Sequence, residues 1–205
     1  RSNITGHPDS VKIRKQQMDT RGSDISFIID QLEKLQNGSI KSTLNGKLDL
    51  QKIAVAGHSY GGSTATVAAH KDERIKACAV LDSWLSPVPE PIISAGIHVP
   101  FLFMGRPTWE GSDYPGNYPR LDSLLAHSSE PKYRLVIKKT LHQDYTDIPL
   151  FSPIIGYVMQ VGDLSPAISL TLINRLTHGF LDRHLLGQNG KKFDEILMND
   201  LIIRF

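Results

Sequence analysis

Gly57-His58-Ser59-Tyr60-Gly61 follows the run Lys52-Ile53-Ala54-Val55-Ala56 and precedes a helix-compatible stretch ending near His70. A serine between glycines, with a strand before it and a helix after it, predicts a sharp turn with strained backbone at Ser59. Such a turn lifts the hydroxyl clear of the sheet edge and faces it toward the helix N-terminus, whose amide N–H groups favour developing negative charge. The chemistry open to that serine is nucleophilic attack on a carbonyl. A hydroxyl is too weak an acid for this alone, so it needs a base to take its proton and a third group to hold the base. Imidazole can accept and return a proton near neutral pH, and a carboxylate can fix its tautomer and stabilise its cation.

The elements that must position such groups alternate along the chain. Ile25, Ile28, Ile29, Leu32 and Leu35 recur at helical spacing and predict a helix over 10–36 that stops at Asn37-Gly38. A polar connection over 39–50 leads to strand 52–56, helix 62–70 and strand 76–81. A Pro-rich loop over 84–100 precedes strand 101–105, and a loop over 106–116 leads to a short helix near 118–127 and then strand 133–138. Ser165-Pro166 reads as a cap and first turn for a helix with Leu172, Ile173, Leu176 and Phe180 on one face, ending at Gly187. Strands separated by helices predict an α/β fold with a mostly parallel, doubly wound sheet and helices on both faces. Ligand chemistry in that architecture belongs at the carboxyl ends of the strands.

The polar residues at those ends are Ser59, then Asp82, then Arg106 with Glu110 and Asp113, then His142. Of the eight histidines, His142 is the one just beyond the last of these strands. His58 flanks the serine, where local packing or hydrogen bonding is expected. His7, His70, His98, His127, His178 and His184 fall at helix ends, strand entries or outside the expected site. Three carboxylates remain open as the acid: Asp82, at the end of an apolar strand where a lone charge would be costly, and Glu110 or Asp113 after the next strand. The order Ser…Asp…His is the order used by α/β-hydrolases.

Composition narrows the field. A chain of 205 residues suffices for one globular domain, and 40% hydrophobic residues with a net charge of +2 supply no basic field for nucleic acid. Arg14-Lys15 and Lys138-Lys139 are too short to form a basic patch, and no apolar stretch reaches membrane-spanning length. Cys78, the lone cysteine, reads as a buried small hydrophobe and permits no intrachain disulfide, so the compartment stays open. No cluster with metal-ligand spacing is present, and neither a metal nor a cofactor is expected. Asn3-Ile4-Thr5 and Asn37-Gly38-Ser39 match the glycosylation triplet, a short and common pattern.

Three segments together carry a family resemblance: Gly57-His58-Ser59-Tyr60-Gly61-Gly62, then Leu81-Asp82-Ser83-Trp84-Leu85 with Pro87, then His142-Gln143-Asp144-Tyr145-Thr146-Asp147. They resemble the platelet-activating-factor acetylhydrolase family of the plasma and intracellular type-II group, over about residues 15–187. Ile154-Ile155-Gly156, Phe180-Leu181 and His184-Leu185 extend the match. The resemblance implies Ser59 as nucleophile, Asp82 as acid and His142 as base, with the Tyr60 amide as an oxyanion donor. It implies calcium-independent hydrolysis of short or oxidised sn-2 acyl groups of phospholipids such as platelet-activating factor. Trp84, Leu85 and the apolar residues of 92–103 are candidate pocket walls. Ser86 and the tract from Pro87 to Pro91 depart from the bulky apolar residues the family places there.

The expected partners are a small ester or phospholipid and, for such a substrate, peripheral contact with a lipid surface. The whole chain, 1–205, is expected to be the C-terminal portion of one α/β-hydrolase domain. That fold carries several strands before the elbow, one of whose loops supplies the second oxyanion donor. Gly6-His7-Pro8 lies too near the elbow helix and follows no strand, and the chain begins at Arg1 without an initiator Met. The expectation is therefore an upstream segment, either cleaved, preceding Arg1 in the same protein, or on another polypeptide. A general carboxylesterase, polyester hydrolase or dienelactone-type hydrolase would share the same three residues. A hydrolase fold that has lost catalysis and serves as an interaction module is the alternative of a different class.

Overall fold

A computed structural model of the chain describes residues 9–110, 114–152 and 154–205. Among the described residues, five strands form one sheet in the order β1-β2-β3-β4-β5: Ile53–His58, Ile75–Leu81, Phe101–Gly105, Lys132–Ile137 and Ile202–Arg204. The first four run parallel and β5 pairs antiparallel with β4. The fifth strand escapes sequence reading because its three residues carry no alternation to detect.

Alternation along the strands divides the core in two. Cys78, Val80, Phe101 and Phe103 face one layer, and Ala77, Ala79, Leu102 and Met104 face the other. Helices α1 (Ser10–Gln36), α2 (Tyr60–Lys71), α3 (Glu90–Ala95) and α4 (Asn117–His127) contribute to the first layer. A one-turn helix α5 (Ile148–Phe151) precedes α6 (Pro166–His184) and α7 (Lys191–Leu197), and these last two pack on the second layer. The residues expected on the inner face of α6 (Leu172, Ile173, Leu176 and Phe180) are all buried.

Two readings of the helices need correction. The buried face of α1 is Met18, Gly22 and Ile29, with Ile25 packed beside it, whereas Ile28 is 52% exposed. Gly22 allows α1 to lie close on α2, since a Cβ there would meet Val67 Cγ1 at 2.9 Å. Arg74 fixes the other end by reaching Asp30, Glu33 and Asp72, which holds the Asp72 carboxyl well below the usual carboxylate range. Within the stretch read as a loop over 84–100, α3 forms because Pro91 falls in its first turn, where no N–H is needed, and because its own Ile92 and Ile93 are buried.

The register is what matters for the site. His58 pairs with Leu81, and Leu81 with Met104, so β1 and β2 end level while β3 runs one residue further, to Gly105. The Ser59 N–H donates to the Leu81 carbonyl at 3.0 Å and the Asp82 N–H to the Met104 carbonyl at 2.6 Å. Ser59 and Asp82 thus stand side by side, each one residue past a level strand end.

Candidate active site

Ser59 sits between β1 and α2 with φ 56° and ψ −122°, a conformation that costs an L-residue free energy and needs its surroundings to hold it. Close packing does so. A Cβ on Gly57 would lie 2.3 Å from the Gly61 carbonyl oxygen, and one on Gly62 would lie 2.6 Å from Ser83 Cβ. Added to Gly61, a Cβ would meet nothing within 4 Å, so the steric demand falls on Gly57 and Gly62. The Ser59 carbonyl accepts from the Gly62 N–H at 3.0 Å and the Trp84 N–H at 3.2 Å, and the Ser63 hydroxyl donates to the Trp84 carbonyl. The Tyr60 amide opens the first turn of α2, where a helix has no intrahelical acceptor for its N–H groups. The Tyr60 ring is held by Arg14 and Arg21, whose guanidinium carbons lie 4.9 and 4.7 Å from its centroid, and its hydroxyl donates to the Arg14 carbonyl at 2.9 Å.

Asp82 is fully buried, with φ 40°. Its Oδ1 accepts from the Arg106 backbone N–H at 3.1 Å; its Oδ2 lies 2.6 Å from His142 Nδ1 and 3.3 Å from Arg106 Nε. A buried carboxylate survives only with such compensation. The Arg106 guanidinium is itself covered by the Trp109 ring, 3.9 Å from its centroid, and Trp109 meets the His142 ring edge-on at 6.0 Å. The Tyr118 hydroxyl donates to the Arg106 carbonyl, and burial beside Asp82 raises its pKa, so it remains a donor. Asn117, also buried, brackets the following residues: its amide donates to the Ser83 carbonyl at 2.9 Å and its oxygen accepts from the Leu85 N–H at 2.7 Å.

His142 opens a 3₁₀ turn, His142–Tyr145, beyond β4. Its Nε2 lies 3.0 Å from Ser59 Oγ. Because an ionised carboxylate only accepts, Nδ1–H donates to Asp82 and Nε2 is left to accept the Ser59 hydroxyl proton. The turn is tied down by Asp144, whose Oδ2 accepts from the Leu141 and Gly162 N–H groups at 2.7 Å each. Burial raises the Asp144 carboxyl above its ordinary value, with those two amides opposing the shift. Lys139, at φ 61°, turns the chain into this loop, and a Cβ on Gly162 would lie 2.1 Å from the Lys139 carbonyl oxygen. All three non-glycine residues with positive φ among the described residues, Ser59, Asp82 and Lys139, therefore flank or form this one constellation.

The structure brings Ser59, Asp82 and His142 into one hydrogen-bonded chain. Glu110 is exposed, and Asp113 lies outside the described residues, as do His7 and Gly6-His7-Pro8. His70, His98, His127 and His184 bond to Gly96, Ser129, Ser123 and Tyr133, respectively, and His178 is exposed. Trp84 stands beside the elbow, its ring 4.3 Å from Tyr114 and 6.0 Å from Tyr60. Leu85 does not wall a pocket: it is fully buried in the first core layer with Val88, Ile93 and Leu121. Ile92, Ile97, Phe101 and Phe103 belong to the same layer.

Sequence reasoning assigned no role to Arg106, Trp109, Asn117 or Asp144. Only Arg106 carried a usable signal, as the first residue past β3. Among the described residues, no group of three or more His, Cys, Asp or Glu side chains is placed to hold a metal, and no helix is long and apolar enough to cross a membrane.

Comparison with known proteins places the chain among esterase-related sequences and folds. A platelet-activating factor acetylhydrolase of Canis lupus familiaris is 26% identical over 202 residues, covering 92% of this chain and 44% of that protein. The Bos taurus protein of the same name is 32% identical over 154 residues, covering 74% and 33%. The chain thus spans less than half the length of these relatives. A ferulic acid esterase from Streptomyces cinnamoneus superposes with a TM-score of 0.74 at 23% identity, over 94% of this chain and 56% of that one, a likeness of fold. The fold is that of an α/β-hydrolase. The profile described as platelet-activating factor acetylhydrolase, isoform II, matches residues 4–200, and the chain belongs to that family.

Proposed function

We propose that this chain carries the reactive centre of a serine ester hydrolase acting on short or oxidised sn-2 acyl groups of phospholipids. The observation that carries the reading is the continuous relay from Ser59 Oγ to His142 Nε2 at 3.0 Å and from His142 Nδ1 to Asp82 Oδ2 at 2.6 Å. In this reading His142 takes the Ser59 proton as the oxygen attacks the ester carbonyl, and Asp82 holds the imidazole and stabilises its cation. The Tyr60 amide and the N-terminal end of α2 face the oxyanion. His142 then returns the proton to the departing alcohol, and water cleaves the acyl-enzyme by the same route. The chemistry needs no metal or cofactor. A second oxyanion donor, expected from an upstream segment, is assigned to no described residue. Residues 1–205 are read as part of one hydrolase domain rather than two.

A lipid surface is the partner that fits the segment just beyond His142. Phe151, Ile154, Tyr157 and Val158 are 81%, 65%, 91% and 77% exposed, and Leu150 is 56% exposed. Apolar residues crowded this way on a surface mark a contact region rather than scattered exposure. Fluorophosphonate labelling tests the core of the proposal. A covalent adduct on Ser59 that vanishes in Ser59→Ala supports it, and an unlabelled wild-type protein rejects it in favour of an inert interaction module. The likeness to a ferulic acid esterase favours a second reading, an esterase without phospholipid preference. Turnover of p-nitrophenyl acetate with none of a short-chain phosphatidylcholine would select it.

A further inference from the structure

We propose that His58, the residue before the reactive serine, is a positioning residue for His142, gripping it at both its backbone and its ring. This rests on the hydrolase reading above and names one more residue needed by the same site. The His58 Nε2 lies 3.1 Å from the His142 backbone carbonyl oxygen, and the two rings lie 4.5 Å apart between centroids at a tilt of 37°. The geometry decides the protonation site. A carbonyl oxygen only accepts, so Nε2 carries the proton and the neutral ring leaves Nδ1 bare.

The grip answers a specific problem. His142 lies in a loop beyond β4, whereas Ser59 and Asp82 extend directly from paired strands. The side-chain bonds to Ser59 and Asp82 orient the imidazole but do not fix the backbone that carries it. Asp144 ties the turn at Leu141 and Gly162, and His58 adds a tie at the His142 carbonyl itself from the end of β1, the strand whose next residue is the serine. The distance between proton donor and acceptor is thereby set by two adjacent residues, one bearing the hydroxyl and the other holding the base.

Charge makes histidine suitable here. The groups facing His58 are His142, Asp82 and Arg106. Burial, and then the neighbouring His142, lower its pKa to about 4, with Asp82 opposing. Over the neutral range His58 is therefore an uncharged donor. A permanent cation at that position would oppose the cation that must form on His142; a neutral ring packs beside it without that penalty.

The test compares His58→Phe, which keeps a ring but loses the donor, with His58→Gln, whose side-chain amide can reach the same carbonyl. Each is read by kcat and KM on p-nitrophenyl acetate, by melting midpoint, and by the downfield proton resonance of the His142 Nδ1–H bonded to Asp82. His58→Phe is expected to lower kcat roughly 10- to 100-fold, the size of effect small misplacement of a reacting group produces, with KM little changed. It should also broaden or remove the downfield resonance, and His58→Gln should restore both. Wild-type kcat and an intact resonance in a folded His58→Phe would overturn the proposal, as would equal losses in the two variants. The resonance reports His142 placement without turnover, and labelling of Ser59 in the wild type reports the hydrolase reading separately, so failure of either is distinguishable.

Discussion

The turn that carries His142 and the segment that follows it treat side chains in opposite ways. Over 140–145, the polar Thr140 and Asp144 are buried, with Tyr145 packed beside them. Just beyond it, Leu150, Phe151, Ile154, Tyr157, Val158 and Met159 are exposed, whereas Ile148 and Ile155 are half-buried and Pro149 is buried. Hydrogen bonds account for the first stretch: the Thr140 hydroxyl donates to the Ile137 carbonyl at 2.7 Å, and Asp144 collects two backbone amides. The second is held by backbone bonds within its own short turns, such as the Met159 N–H to the Ile155 carbonyl at 2.9 Å. A folded chain has little reason to leave a run of apolar side chains in water unless something outside the chain covers it. The contrast separates a stretch built to hold one geometry from a stretch that we propose meets a lipid surface.

The largest expected effects lie on the first side. Ser59→Ala or His142→Ala should lower kcat on the order of 10⁶-fold, since members of such a unit fail together. Asp82→Asn should cost about 10⁴-fold by stabilising the wrong imidazole tautomer. Steady-state kinetics on p-nitrophenyl acetate measures both. A silent Asp82→Asn beside an impaired Glu110→Gln would move the acid to the other carboxylate.

Smaller and different in kind is Asp144→Leu. It leaves the Leu141 and Gly162 amides without their acceptor; both are half-buried, so each loss should fall toward the low end of the roughly 1–3 kcal/mol of an orphaned buried donor. Denaturant unfolding should register the loss, whereas Asp144→Asn, which keeps an acceptor oxygen, should register much less. On the second side, Phe151→Ser with Val158→Ser should weaken binding to phosphatidylcholine vesicles while leaving turnover of soluble p-nitrophenyl acetate unchanged. Equal vesicle binding by this variant and the wild type would remove the contrast drawn above.

The subtlest effect is in pH. His58 titrates near 6.5 when unfolded and at about 4 when folded, so between those values the unfolded chain holds more protons. Its contribution to stability is complete above the upper value and fades as pH falls toward the lower one. The melting midpoint of His58→Phe should therefore drop less than that of the wild type across this window.

Much of this was legible in the residues. Ser59 announces itself through the glycines around it, because a strained turn tolerates few alternatives. The inner face of α6 follows from helical spacing that burial then obeys. The acid was harder to read, since Asp82, Glu110 and Asp113 all follow strands, and spacing says nothing of which carboxylate turns inward. Asn117 and Asp144 were out of reach because their partners, Ser83 and Leu85 for one and Gly162 for the other, become neighbours only when the sheet and its loops assemble. Leu85 misled for the converse reason: an apolar side chain near a reactive group looks the same in sequence whether it lines an opening or fills the interior.

The level ends of β1 and β2 carry a consequence for how this protein can change. Residue spacing along β2 sets which way each side chain points, so a single inserted or deleted residue there would swing the carboxylate to the opposite layer and leave the imidazole without its acceptor. Sequence drift within those strands is free to alter which apolar residue occupies a position. It is not free to alter how many there are.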